Sequence, residues 1–237
     1  MSTNEKITPF TLIAIPSEGE LLAGFVERYA RATCERVLPS LALTFEERQE
    51  LICQDLEFHQ HIRQEPWKYN IGAEEYGEYA NPEGSFDIGL ESMSYAEMEA
   101  NALQMHILGL AFAGLFHIFE RQLVMILYRL DYRRQNTVLT LVPDKERHTF
   151  SGYKKLLEIG GYPIYGTIGT DIERLRLIAN VMKHGSAHAL RTLQKEFPNL
   201  FWHGSPTLSV DNMLLTTDLL MASAGSIASF WRVFPCA

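Results

Sequence analysis

Between Met98 and Leu130, apolar or small residues recur in alternating steps of four and three without a break. They are Met98, Ala102, Met105, Gly109, Phe112, Phe116, Phe119, Leu123, Ile126 and Leu130. A 3.5-residue repeat sustained over this length cannot sit still as a strand. It requires a helix packed lengthwise against other helices. The spacing predicts one helix from Ser94 to about Arg133, roughly 60 Å long at 1.5 Å per residue, with a kink near Gly109 or Gly114. Around Leu108 to Phe119 the apolar character extends round most of the helix, which places this section at the core centre.

The rest of the chain punctuates into further helices. One is expected over Glu18 to Val37, ended near Pro39. Thr44 followed by Glu47 is a capping box that opens a second, running towards His61. Residues 65–91 lose periodicity and carry Pro66, Gly72, Gly77, Pro82, Gly84 and Gly89. This stretch reads as an irregular wrap and as the boundary between an N-terminal helical segment, 1–91, and a helical core, 92–237. Thr137 to Val142 is β-rich but stands alone before Pro143, a loop or short edge strand at most. Phe150 to Ile159 reads as a short helix stopped by Gly160-Gly161. Thr170 with Glu173 reads as a capping box that opens a helix closed by Gly185 at C′. Ser186 caps a short helix that ends before Pro198. A last helix is expected from Val210 to about Val233, capped by Asp211, with Met213, Leu214, Leu219, Leu220 and Ile227 facing inward. Its small residues, Ala222 to Ser226, suit close approach to a neighbouring backbone. The fold class is therefore all-α, a helical bundle.

Composition narrows the function classes. The hydrophobic fraction of 46% in 237 residues supports a folded core. A formal charge of −8 excludes general electrostatic binding of nucleic acid, so any RNA contact needs a local basic patch. Two candidates are Arg129, Arg133 and Arg134 with Lys145 and Arg147, and Arg174, Arg176, Lys183 and Arg191. Cys34, Cys53 and Cys236 are odd in number and form no CxxC pair, which points to reduced thiols in the cytoplasm. The apolar run Ile107 to Phe119 is 13 residues, short for a bilayer span, and no membrane partner is expected.

The helix ending at Gly185 carries the chemistry. Ile172, Leu175, Ala179 and Met182 form its buried stripe, and Arg176, Asn180 and His184 form a polar line. Asn180 lies ~40° and His184 ~80° from Arg176 round the axis, with a rise of roughly 12 Å over the three. An imidazole in the last helical turn is favoured as the cation. With a guanidinium and an amide nearby, it suits the handling of a phosphate. Lys183 adds local charge. His117 and Glu120, at i and i+3, are either a buried polar pair or a support for the His184 site. Gly185-Ser186 separates His184 from His188, and no nearby carboxylate has ligand spacing, so neither a metal nor a cofactor is expected. No phosphate-cradling glycine loop and no nucleophile elbow is present.

The order of parts carries a resemblance. A long helix with FHIFERQL (Phe116 to Leu123), a short helix, a helix ending ANVMKHG and a final amphipathic helix resemble HEPN domains over roughly residues 92–234. Asn180 and His184 keep the family's Asn-x-x-x-His spacing. The position before Asn180, where the family arginine would sit, is Ala179, and Arg176 is the nearest replacement. The resemblance implies an all-α HEPN-type bundle, a homodimer, and metal-independent cleavage of RNA as a toxin or antiphage-defence component with an antitoxin or defence-system partner. Arg176 would bind the scissile phosphate, His184 would transfer protons, Asn180 would orient the imidazole or the ribose, and Lys183, His117 and Glu120 would support. The rival expectation is a non-catalytic helical interaction or nucleotide-binding regulatory module.

Overall fold

Local capping chemistry sets most helix boundaries. The computed structural model describes residues 16–65, 68, 82–133, 137–161, 164, 166–202 and 209–234. Its helices are α1 (Pro16–Ala32), α2 (Phe45–Gln64), α3 (Pro82–Arg133), α4 (Phe150–Ile159), α5 (Gly166–His184), α6 (Ala187–Glu196) and α7 (Thr217–Val233). The fold is all-α: among the described residues the only extended pairing is an isolated antiparallel bridge between Phe201 and Met213. A π-helical turn, Thr33–Val37, continues α1 to the Pro39 stop.

Thr44 accepts from Glu47 N while the Glu47 carboxylate accepts from Thr44 N, so the capping box at α2 is complete. Thr149 caps α4 and Ser186 caps α6, each by accepting the backbone N–H three residues on. Gly185 ends α5 at φ +59°, a left-handed conformation that suits glycine.

Several boundaries differ from the sequence expectation. Helix α3 begins at Pro82, within the stretch read as irregular; residues 66, 67 and 69–81 of that stretch lie outside the described residues. Leu139–Leu141 is a 3₁₀ turn, not a strand, and the buried Asp131 carboxylate accepts from Leu139 N at 2.9 Å to hold it. Helix α5 starts at Gly166, so Thr170 is already inside it and its hydroxyl donates back to Gly166 O at 3.1 Å. The early start depends on two glycines. Gly166 enters at φ +62°, and Gly169 lies so close to Ile164 O that a Cβ would collide with it. Helix α7 is capped by Thr216, which accepts from Leu219 N, and not by Asp211. Val210–Asn212 is a 3₁₀ turn, and the Phe201–Met213 bridge holds the strand-like chain that follows, leaving Leu214 38% exposed where an inward side chain is expected.

The described chain divides into two units, one of residues 16–35 and 108–234, the other of residues 36–107. In the first, α1 packs most extensively on α7, with Ala23 and Ala30 of α1 and Ala224 and Ala228 of α7 buried. Small side chains let two helix backbones approach closely, as the Ala222–Ser226 stretch leads one to expect. Helix α5 packs on α6 and α7. Phe119 sits among Phe150, Phe230 and Trp231, ring centroids 5.4 to 6.2 Å away, in tilted and edge-on geometry. The seam residues from Gly109 to Leu130 are buried here. In the second unit, Arg48 of α2 pairs with Glu97 at 2.9 Å and the Gln104 amide donates to Leu38 O. Met98, Ala102 and Met105, on the same seam, are exposed. The 3.5 repeat therefore continues beyond the part of α3 that is covered. Ser94–Arg133 is long and apolar enough to cross a membrane by length and composition, a test that the core helix of a soluble protein also passes; 44% of its most apolar window is buried.

Candidate functional site

Helix α5 is more buried than a single stripe requires. Ile172, Leu175, Leu177, Ile178, Ala179 and Val181 are all buried, so its polar residues emerge from an apolar rod. Arg176 does not stand free. Its Nε donates to Glu173 Oε2 at 3.0 Å and its Nη2 to Glu173 Oε1 at 2.6 Å. This is a fork-on-fork pair, the geometry in which a guanidinium also grips a phosphate. Burial pushes the Glu173 carboxyl up, but the hydrogen bonds and charge of Arg176, with Lys154 nearby, hold it below the ordinary glutamate range. The same pairing raises Arg176 further.

Two residues back, Asp171 does the corresponding work for Arg174. It accepts from Arg174 Nη2 at 2.8 Å and from the Ser226 hydroxyl of α7 at 2.5 Å, which ties α5 to the last helix. The Arg174 guanidinium lies 5.8 Å from the centre of the Phe197 ring. Two of the four residues of this basic cluster, Arg174 and Arg176, are thus paired with carboxylates of α5 itself. In the other cluster, Arg129 pairs with Glu18 and Arg147 with Asp144; Arg134 lies outside the described residues.

A cavity of about 530 Å³ lies between α4 and α5, bordered by Ser151, Lys154, Lys155, Glu158, Glu173 and Arg176. A second, of about 280 Å³, shares Lys154 and Glu173 and opens at Gly166, Thr170 and Glu196. Asn180 and His184 border neither cavity. Asn180 is half-buried, while Lys183 and His184 are exposed at the C-terminal end of α5. The structure therefore brings Arg176 together with Glu173, Lys154 and Lys155, and leaves the imidazole about 12 Å further along the same helix. His117 is not buried: its side chain is 60% exposed, with Nδ1 3.9 Å from Glu120 Oε2, on the outer side of α3. The seam turns the large apolar residues inward, so this pair falls on the opposite flank. Among the described residues no three His, Cys, Asp or Glu side chains converge as a metal-holding set.

Glu173 was legible as an i, i+3 partner of Arg176, had its spacing been read as an ion pair and not as a cap. Lys154 and Lys155 carry no such signal, because only the packing of α4 beside α5 makes them neighbours of Arg176. Compared with known proteins, the chain matches no family model, no curated protein and no solved structure.

Proposed function

We infer that this chain is a non-catalytic helical interaction module. The observation that carries the reading is the bidentate Arg176–Glu173 pair. A phosphate at this guanidinium either displaces two charge-assisted hydrogen bonds, each worth about 1.5–3 kcal/mol, or takes the remaining Nη1–Nη2 edge beside the Glu173 carboxylate, whose negative charge opposes it. The separation of Arg176 from His184 supports the same reading, as does the surplus of acid over base in the whole chain, −8.

A second reading, a metal-independent RNase of the HEPN type acting as a toxin or defence component, has one observation in its favour. His184 and Lys183 are exposed at the carbonyl end of α5, where a substrate phosphate has access and an imidazolium is stabilised. In that reading a second copy supplies a second histidine, and Glu173 releases Arg176 when RNA binds.

The two readings separate in one assay. Wild type, His184→Ala and Glu173→Gln are incubated with end-labelled single-stranded RNA in chelator, and the RNA ends are mapped. The interaction module gives no cleavage above the His184→Ala level in any of the three. Cleavage by wild type that is abolished in His184→Ala and raised in Glu173→Gln establishes the nuclease instead.

A further inference from the structure

Helices α1 and α3 lie side by side and antiparallel. Glu18 pairs with Arg129 at 2.5 Å, and eleven residues on, the Tyr29 hydroxyl donates to Ala111 O at 3.2 Å and fills the space beside Gly114. Round the α1 axis, Phe25 lies ~20° and Leu21 ~60° from Glu18, on the side away from the buried Val26. Round α3, Met125 lies ~40° and Tyr132 ~60° from Arg129, away from the buried Ile126. Both buried flanks meet α7, since α1 packs on it and Phe119 of α3 packs on Phe230 and Trp231. The two exposed flanks therefore look out on the same side.

That side is apolar and open. Leu21 is 67% exposed, Phe25 50%, Met125 42%, Tyr128 42% and Tyr132 81%. A hollow of about 440 Å³ runs among Met125, Tyr128, Arg129, Tyr132 and Arg133. With 150–250 Å² for a whole aromatic side chain, the five expose on the order of 500 Å² before the arginine stems are counted. That approaches the ~800 Å² per partner of a specific interface. The face also carries Arg28, Arg121 and Arg133, all exposed and without a carboxylate partner among the described residues. No lysine occurs on α1 or α3.

We propose that the α1–α3 face is a docking groove for an acidic amphipathic helix of a partner protein. This deepens the interaction-module reading and rests on it. Tyrosine, phenylalanine, methionine and arginine without lysine is the composition of a protein interface core. Arginine also grips phosphate, but a nucleic-acid phosphate surface offers no apolar stripe to cover Leu21, Phe25 and Met125. Carboxylates opposite the unpaired arginines complement their charge. A second copy docking face to face would set Arg121 and Arg133 against arginines, so the partner is a different, acidic surface. Two antiparallel helices leave a groove that takes a third helix along its length, apolar stripe inward and acids at the rim.

The test uses the full chain and a synthetic 18-residue helical peptide with a leucine stripe flanked by glutamates. A control peptide keeps the stripe and carries lysines instead. By fluorescence anisotropy the glutamate peptide is expected to bind at least tenfold tighter than the lysine peptide. Tyr132→Ala and the pair Arg121→Glu with Arg133→Glu are each expected to weaken it about tenfold, with unchanged thermal unfolding. Equal affinity for both peptides, or no effect of the substitutions, overturns the proposal. So does self-association in sedimentation velocity that Tyr132→Ala abolishes, and so does displacement of the peptide by phosphatidylglycerol vesicles or by oligouridylate. RNA cleavage is read separately. A chain that cleaves RNA yet prefers the glutamate peptide overturns the module reading alone, whereas a chain that does neither overturns only the groove.

Discussion

Glu173 decides what Arg176 is able to do. Its carboxylate is held below the ordinary range by Arg176 and Lys154 in spite of burial. A depressed folded-state pKa stabilises the protein fully above the unfolded value of about 4.3, and the contribution is lost as pH falls through the folded pKa. Glu173→Gln is therefore expected to cost about 1 kcal/mol near pH 7, where one partner of a partly buried pair is removed, and nothing near pH 2. Denaturant unfolding of both proteins across that range checks it; a cost independent of pH contradicts the assignment. The Glu47 carboxyl at the α2 cap is likewise lowered, first by the Thr44 backbone hydrogen bond. The two acids differ in what they hold: Glu47 satisfies a helix end, whereas Glu173 occupies a cation that other ligands would want.

At the scale of elements, each helix is specified by its ends and its buried side, and these come from different physics. Caps act over three or four residues. Thr44, Ser186 and Gly185 therefore do in the structure what their spacing predicts, and Thr149 caps α4 by the same chemistry. The exceptions are equally physical. Thr170 and Glu173 match a capping box, but Gly166 to Gly169 extend α5 upstream and release Glu173 to Arg176. Asp211 stands before the right run of residues, yet the Phe201–Met213 bridge delays α7 to Thr217. One glycine couples two elements: Gly152 of α4 is buried, and a Cβ there would collide with the Glu146 backbone carbonyl of the preceding 3₁₀ turn. Backbone cannot yield as a side-chain tip does. Gly152→Ala is expected to destabilise by about 1–3 kcal/mol, read by thermal unfolding. Gly109→Ala, which would meet only the flexible end of Met182, is expected to cost less.

For the whole molecule, burial is unevenly shared. From Leu108 to Leu130, α3 is lined by fully buried Phe112, Leu115, Phe119 and Leu123, whereas the described side chains of α2 are exposed or half-buried. Local opening is easiest where buried apolar contact is sparse. Backbone amides of Phe112 to Leu127 are therefore expected to exchange with solvent orders of magnitude more slowly than those of Leu51 to Gln60, by hydrogen-exchange mass spectrometry. Comparable protection in both would show that α2 is covered in solution. By itself the sequence determined that the chain is helical, where most helices begin and end, and that one long seam organises it. Those properties follow from periodicity and capping, which are local in the chain. It also supplied Arg176, Asn180 and His184 as polar groups on a buried rod. Tertiary structure alone decided that two α4 lysines stand beside the Arg176–Glu173 pair, that His184 borders neither cavity, and that Met98, Ala102 and Met105, the part of the 3.5 repeat before Gly109, lie exposed. The reason is the same in each case: periodicity says that a face wants a partner, and only the packing of distant segments determines which faces receive one.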